Sequence, residues 1–413
     1  MNRFVKIIIS TALFAALVSP LATPLKAQER TAYPALERVV KPDSLLTPAE
    51  LKTRLRQQHR DSVRANKNLW TTLLGGPSYT PEASIGVAGA VLFSFQTNQA
   101  DSISQRSYIP FGFNASLNGT LVVAGASTLF FNENRFRIYT FYGVRNEPAN
   151  FYGVGMTENS SIERGESTTE YQKLNIYLRN KFVWEVKPKL FVGQSLDLGY
   201  TRSSDLNPLM EQHYYVNMFS RKYFNAALGA SVEYDTRDDV ATPNAGLLLS
   251  GATKFFGHYL GGDYNYQSYD FEYRQYQYLF GRAVLGWVVR TTMTYGDVPF
   301  TELPMFGSPF DLRGFYWGQY RDKSMGYAIA EYRQMLGSQA DYKAGRAISK
   351  FGYVVWAGTG TLGNTPSEWR EYRYNFGIGL RAQIQPRKNF RFDIGKGQGE
   401  SGMLFYMNMT EAF

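Results

Sequence analysis

Few residues in this chain could make or break a covalent bond. Its 413 residues include three histidines, His59, His213 and His258, and no cysteine. None of the histidines stands at metal-ligand spacing with another. The missing cysteines remove thiolate ligands, thiol nucleophiles and disulfides together. There is no nucleophile elbow, no glycine-rich phosphate loop and no Walker-type lysine. His258 near Thr253 is the nearest approach to the hydroxyl–imidazole pair that a lipase barrel would need, and Thr253 is not a serine. The chain is expected to be no enzyme and to hold no metal or other cofactor. Whatever it does is non-covalent, and depends on the elements that carry its charged and aromatic side chains.

The two ends say most about those elements. Arg3 and Lys6 precede the apolar stretch Ile7 to Val18, which is too short to span a bilayer as a stop-transfer helix. This reads as a secretory signal peptide over residues 1–27, with cleavage expected after Ala27. At the other end Met403, Phe405, Met407 and Met409 alternate with Leu404, Tyr406, Asn408 and Thr410, and Phe413 follows. A strand with one apolar face and a terminal aromatic is how a bacterial outer-membrane barrel ends. Phe413 should sit at the interfacial level.

Composition agrees. Aromatics make up 16% of the residues, yet mean hydropathy is below zero, which a bundle of membrane helices would not give. A closed barrel also satisfies its backbone in lipid, and its lumenal residues dilute the apolar ones. From about Tyr79 the sequence follows period 2. Tyr374, Phe376, Ile378 and Leu380 oppose Arg373, Asn375 and Arg381. Leu174, Ile176 and Leu178 oppose Lys173, Asn175 and Arg179. Charges so frequent on one strand face need water, which in a membrane barrel is the lumen.

Counting back from the last strand predicts sixteen strands, centred near 89, 112, 125, 140, 153, 177, 195, 229, 251, 271, 288, 330, 355, 378, 393 and 408. The fold class is all-β, a transmembrane antiparallel barrel over residues 76–413. Asn118-Gly119 and Lys187-Pro188-Lys189 mark tight connections. Long polar loops near 157–169, 203–221, 296–326 and 359–370 fall on the opposite side from both termini. Residues 28–75 are read as a short periplasmic extension whose helix starts at Thr47-Pro48 with Glu50 as capping partner. Its Lys52, Arg54 and Arg56 could meet Asp235 and Asp238. A soluble secreted β-sandwich would also alternate, but would have to expose the charged faces and bury the Tyr/Phe stripes.

Asp311-Leu312-Arg313-Gly314-Phe315-Tyr316 resembles the loop motif of the BamA/TamA superfamily of outer-membrane insertases and translocators. Gly307 precedes it and Tyr320-Arg321-Asp322 follows. Ala328-Ile329-Ala330-Glu331-Tyr332-Arg333 resembles the family's Glu-bearing strand. Tyr234-Asp235-Thr236-Arg237-Asp238 resembles a family turn, and Arg391-Phe392-Asp393-Ile394-Gly395 its penultimate strand. The likeness runs from about 79 to 413. It implies that the loop bearing Leu312, Arg313, Gly314 and Phe315 folds back into the lumen. Its Arg313 would then be held by wall carboxylates, Glu331 first and Asp393 second. The resemblance also implies that assembly machinery reads the terminal strand, with Phe405, Met407, Met409 and Phe413 as the C-terminal insertion signal. Where the family places an Asp before Ala-Gly, this chain has Trp356-Ala357-Gly358. The family's POTRA domains find no room between Gln28 and Tyr79, so a short branch without them is expected.

The function expected from this resemblance is assistance in protein or lipid assembly or translocation at the bacterial outer membrane. The alternative is a passive pore or structural scaffold. Expected partners are outer-membrane lipid and lipopolysaccharide, with outer-membrane proteins or their assembly machinery, and a homo-oligomer stays open. Nucleic acid is not expected despite the formal charge of +9, since basic residues alternate along lumenal faces instead of forming a patch.

Overall fold

The computed structural model describes residues 68–80, 84–101, 103–385, 388–409 and 411–413. The chain divides into two units, 1–70 and 71–413. Nearly all of the first lies outside the described residues. With it go the signal peptide, the helix at Thr47 and the meeting of Lys52, Arg54 and Arg56 with Asp235 and Asp238.

The second unit is one sixteen-stranded antiparallel sheet. Its first half runs β1 (Trp70–Thr80), β2 (Ser84–Phe95), β3 (Ser107–Ser116), β4 (Leu121–Phe131), β5 (Phe136–Asn150), β6 (Glu170–Lys187), β7 (Leu190–Ser204) and β8 (Lys222–Asp235). Next come β9 (Gly246–Phe256), β10 (Tyr266–Tyr278) and β11 (Ala283–Gly296). The ribbon β12 (Met305–Phe306) and β13 (Tyr320–Arg321) forms a separate pair inside the following loop. The wall resumes with β14 (Ser324–Met335), β15 (Phe351–Gly363), β16 (Arg373–Gln385), β17 (Lys388–Gly397) and β18 (Leu404–Met409). Each wall strand pairs with the next, β11 with β14, and β1 and β18 stand at the ends of the order. No helix among the described residues is long and apolar enough to cross a membrane.

Side-chain parity decides the two faces. On β16, Tyr374, Phe376, Ile378 and Leu380 are all more than half exposed, while Asn375 and Arg381, of the opposite parity, are buried. On β14, Glu331 and Arg333 are buried and Ala330 is exposed. An apolar outside around a charged inside is stable only where the outside meets lipid. The chain is a β-barrel of the membrane type. The Lys388 ammonium of β17 lies 4.1 Å over the Tyr108 ring of β3, so the two ends of the sheet curl toward each other.

Two expectations need correction. No strand centres near 153. Gly153 and Gly155 have φ of 87° and 97°, which breaks the alternation, and Phe151 and Tyr152 are buried in a loop instead. The sixteenth strand is β1. Its Gly75-Gly76-Pro77 resembles a turn, but a strand at the end of a sheet tolerates proline because one row of its N–H groups has no ladder to serve.

Connections alternate between two rims. The rim fed by β5, β7, β11 and β15 carries the long loops 151–169, 205–221, 297–323 and 364–372. An apolar cap gathers there from Phe151, Tyr171, Met210, Tyr215, Phe300 and Leu303. A second apolar cluster fills the lumen, with Val288, Ile329 and Trp356 on the wall and Phe306, Leu312, Phe315 and Tyr320 from the 297–323 loop.

If the outer face meets lipid, Ile378→Arg should cost ~2–4 kcal/mol of folding stability, the usual penalty for an arginine near the bilayer midplane. Urea titration of folding into phospholipid vesicles measures it. A loss within error of zero would place β16 away from lipid.

Candidate functional site

The site is built where the 297–323 loop lies on the wall of β14 to β18. The loop turns on Asp311, whose carboxylate accepts from Gly307 N–H at 3.0 Å, Ser308 N–H at 2.7 Å and Ser308 Oγ at 2.7 Å. This tight turn presents Leu312, Arg313, Gly314 and Phe315 to the wall. Gly314 has φ +116°, and a Cβ there would stand 2.5 Å from the Lys396 carbonyl carbon. A Cβ at Gly395 would stand 2.8 Å from the Arg313 carbonyl carbon. The loop backbone therefore rests directly on the β17 backbone, and only glycine permits that approach. Leu312 packs over Gly358 and Gly360 of β15.

Arg313 is fully buried. Its Nη1 donates to Asp393 Oδ2 at 2.7 Å and its Nη2 to Glu331 Oε2 at 2.5 Å. The structure thus brings Arg313, Glu331 and Asp393 together. The guanidinium also lies 3.7 Å from the ring centre of Trp356. At the position where the family resemblance leads one to expect a third carboxylate, an indole face supplies a cation–π contact. Asn375 Nδ2 donates to the Arg313 carbonyl at 2.6 Å. The Tyr406 hydroxyl accepts from Gly314 N–H at 2.9 Å and donates to the Phe315 carbonyl at 3.1 Å. One turn of chain therefore touches five consecutive wall strands.

Around Arg313 stand three more buried arginines. Arg333 Nε donates to Glu331 at 2.7 Å, and Arg381 Nη1 to Asp393 at 2.6 Å. Arg391 Nη1 donates to Asp393 at 2.7 Å and its Nη2 to the Pro309 carbonyl at 2.7 Å. Glu411, beyond the last strand, accepts from Arg381 Nε at 2.8 Å and Asn389 Nδ2 at 2.7 Å. Charge-assisted bonds that bridge most of these ions to more than one opposite charge are what repay the desolvation of so many.

The terminal residues divide. Phe405 and Met407 lie on the outer face of β18, and Met409 ends the strand. Phe413 does not occupy the interfacial level expected for it. It is buried inside, its ring 6.2 Å from Tyr276 of β10 and 5.0 Å from the Arg333 guanidinium, while Arg333 Nη2 donates to its main-chain oxygen at 3.0 Å. The cause is that the chain leaves the wall after Met409 and turns into the lumen, drawn by Glu411 pairing with Arg381. Tyr406, Asn375, Arg333, Arg381, Arg391 and Glu411 were missed as site residues. For the five on wall strands the available signal was inward parity, shared on the same or a paired strand with Glu331 or Asp393; Glu411 lies beyond β18 and had no such signal. Among the described residues, no cluster of three or more His, Asp or Glu could hold a metal ion.

Arg313→Ala should destabilise the barrel by ~3–5 kcal/mol, since it leaves Glu331 and Asp393 buried without their central cation. Heat-modifiable gel mobility and planar-bilayer conductance would both read the change, and wild-type behaviour in both would remove the pin. A second prediction concerns Asp322 at the foot of the loop. Burial, aided by Glu368 and opposed by the Lys323 N–H bond of 2.7 Å, pushes its carboxyl up to about 6. An acid with a raised pKa is charged at a cost above that value, and the cost shrinks as pH falls below it toward the ordinary carboxylate range. The loop base should therefore resist protease better at pH 5 than at pH 8, and Asp322→Asn should abolish the difference. Equal cleavage of the unaltered chain at both pH values would refute this.

Comparisons with known proteins agree with this geometry. Residues 195–413 match the Omp85 superfamily domain. Among solved structures, BamA from Haemophilus ducreyi lacking POTRA domains 1–3 is similar at a TM-score of 0.53 with 14% identity, over 83% of this chain and 70% of that one. CdiB from Escherichia coli is similar at a TM-score of 0.53 with 10% identity, over 84% of this chain and 63% of that one. The chain thus spans less than two thirds of that second protein. No curated protein sequence matches. These structures share the fold, and the domain match covers just over half the chain, including the Arg313 loop and every wall residue that binds it: this chain is an outer-membrane β-barrel of the Omp85 superfamily.

Proposed function

We propose that the chain assists protein or lipid assembly at the outer membrane, through the seam where the first and last wall strands face each other. The role is non-enzymatic. Long loops face the cell exterior, and both ends of the barrel sequence open to the periplasm. The observation that carries this reading is the departure of the chain from the wall at Met409. β18 has six residues against eleven in β1, and the residues beyond it are tied into the lumen through Glu411 and Phe413. Among the described residues no ladder joins β1 to β18. A strand edge left with unmade backbone hydrogen bonds is a template for another chain. Its partners would be outer-membrane lipid, lipopolysaccharide and incoming barrel proteins.

Deleting the gene should lower the amounts of other outer-membrane proteins. The purified chain in liposomes should speed the folding of a urea-denatured small barrel above the rate in empty liposomes. Unchanged outer-membrane protein levels together with no acceleration would overturn the proposal and leave a passive pore or scaffold.

A further inference from the structure

The outer wall at the long-loop rim carries a feature that the site around Arg313 does not use. In the register of β7 and β8, Arg202 lies directly opposite Lys222. Parity puts both on the outer face, because Thr201, Ser203 and Tyr223 beside them are buried on the lumenal side. Both cations are exposed, and neither has an ion-pair partner among the described residues. Like charges directly opposite across a ladder destabilise a sheet. Leu174 of β6, opposite Arg202, brings no compensating charge. On the other side the ladder between β8 and β9 stops at Ala227, and the carboxylate nearest in register, Asp263, is engaged by the Phe224 N–H at 2.7 Å. Arg221 adds a third exposed cation, only loosely met by Glu211 at 4.0 Å.

Height along the wall explains the pair. Below it the same face reads Tyr200 opposite Phe224, Leu198 opposite Ala226 and Leu196 opposite Leu228, then a single polar residue, Gln194 opposite Ala230, and Val192 opposite Val232. Val192 to Arg202 spans ten residues. At ~3.3 Å per residue and a tilt near 40°, that is a rise of about 25 Å, the height of the apolar band of an outer-membrane barrel. The cations therefore stand just above the lipid-facing band, over an aromatic pair, where headgroups lie.

We infer that Arg202 and Lys222 form a binding site for the phosphate of a lipid headgroup in the leaflet beside the long loops. A guanidinium can take two phosphate oxygens in a bidentate fork while the ammonium takes a third, and the anion between them turns cross-strand repulsion into a bridge. Assigning that leaflet to phosphorylated glycolipid rests on the orientation given under the proposed function. The cation pair and its height do not.

The test uses the full chain in nanodiscs of phosphatidylcholine doped with lipid A, with retained lipid counted by native mass spectrometry. Retention of bisphosphorylated lipid A should exceed retention of its dephosphorylated form by roughly tenfold. That comparison needs no variant. Arg202→Gln and Lys222→Gln, singly and together, should each lower retention, whereas Lys187→Gln with Lys189→Gln at the opposite rim should not. Equal retention of the two lipids, or no loss in the double variant at unchanged heat-modifiable mobility, would overturn the site. If millimolar inorganic phosphate displaces the lipid fully, the site reads free phosphate and the lipid assignment is wrong. None of these readouts involves a client protein, so failure here and failure of the assembly role are separable.

Discussion

A guanidinium buried beside a membrane-spanning wall must be surrounded by charge or it will not stay. Arg313 meets that requirement with Asp393 at 2.7 Å, Glu331 at 2.5 Å and the face of Trp356. The consequences reach beyond the pair. Glu331 also takes Arg333, and Asp393 also takes Arg381 and Arg391, so removing the central cation disturbs each of the others. The loop backbone can approach β17 closely enough to place Arg313 only because Gly314 and Gly395 lack side chains. Charge pairing and backbone contact are therefore one requirement seen twice: without the glycines the arginine could not reach, and without the arginine the loop would have little reason to lie so deep.

The same network governs the last strand. Tyr406 accepts one hydrogen bond from the loop and donates one to it, and Glu411 and Phe413 fasten the chain beyond β18 to Arg381 and Arg333. The end of the wall is thus held from the lumen, by ions, as well as from β17, by a six-residue ladder. An edge fixed from inside can keep its outer hydrogen-bonding side open without losing its position, which is what the proposed assembly role would require of the seam.

The wall itself was legible in the amino-acid sequence because lipid and lumen impose opposite demands at every second residue. Phe376 and Ile378 next to Asn375 leave no other reading of β16. Glu331 and Asp393 were reachable through the Leu312-Arg313-Gly314-Phe315 resemblance. What escaped were features that period 2 cannot encode. Phe151 and Tyr152 alternate acceptably with their neighbours, yet two left-handed glycines turn them into a loop cap. Pro77 looks like a breaker until β1 is known to end the sheet. Phe413 looked like an interfacial aromatic because nothing local announces that Glu411 will be drawn inward by Arg381, which lies thirty residues away. Arg202 and Lys222 are separated by a helical loop, so their opposition exists only in the register.

The central claim is that Arg313 holds β17 and β18 in place. Backbone hydrogen exchange on the folded barrel, comparing the unaltered chain with Arg313→Lys, tests it most directly, since lysine keeps the charge but cannot span both carboxylates. The account predicts faster exchange over Lys388–Gly397 and Leu404–Met409 with β6, β7 and β8 unchanged. Unchanged protection in β17 and β18, or an equal loss around the whole barrel, would contradict it.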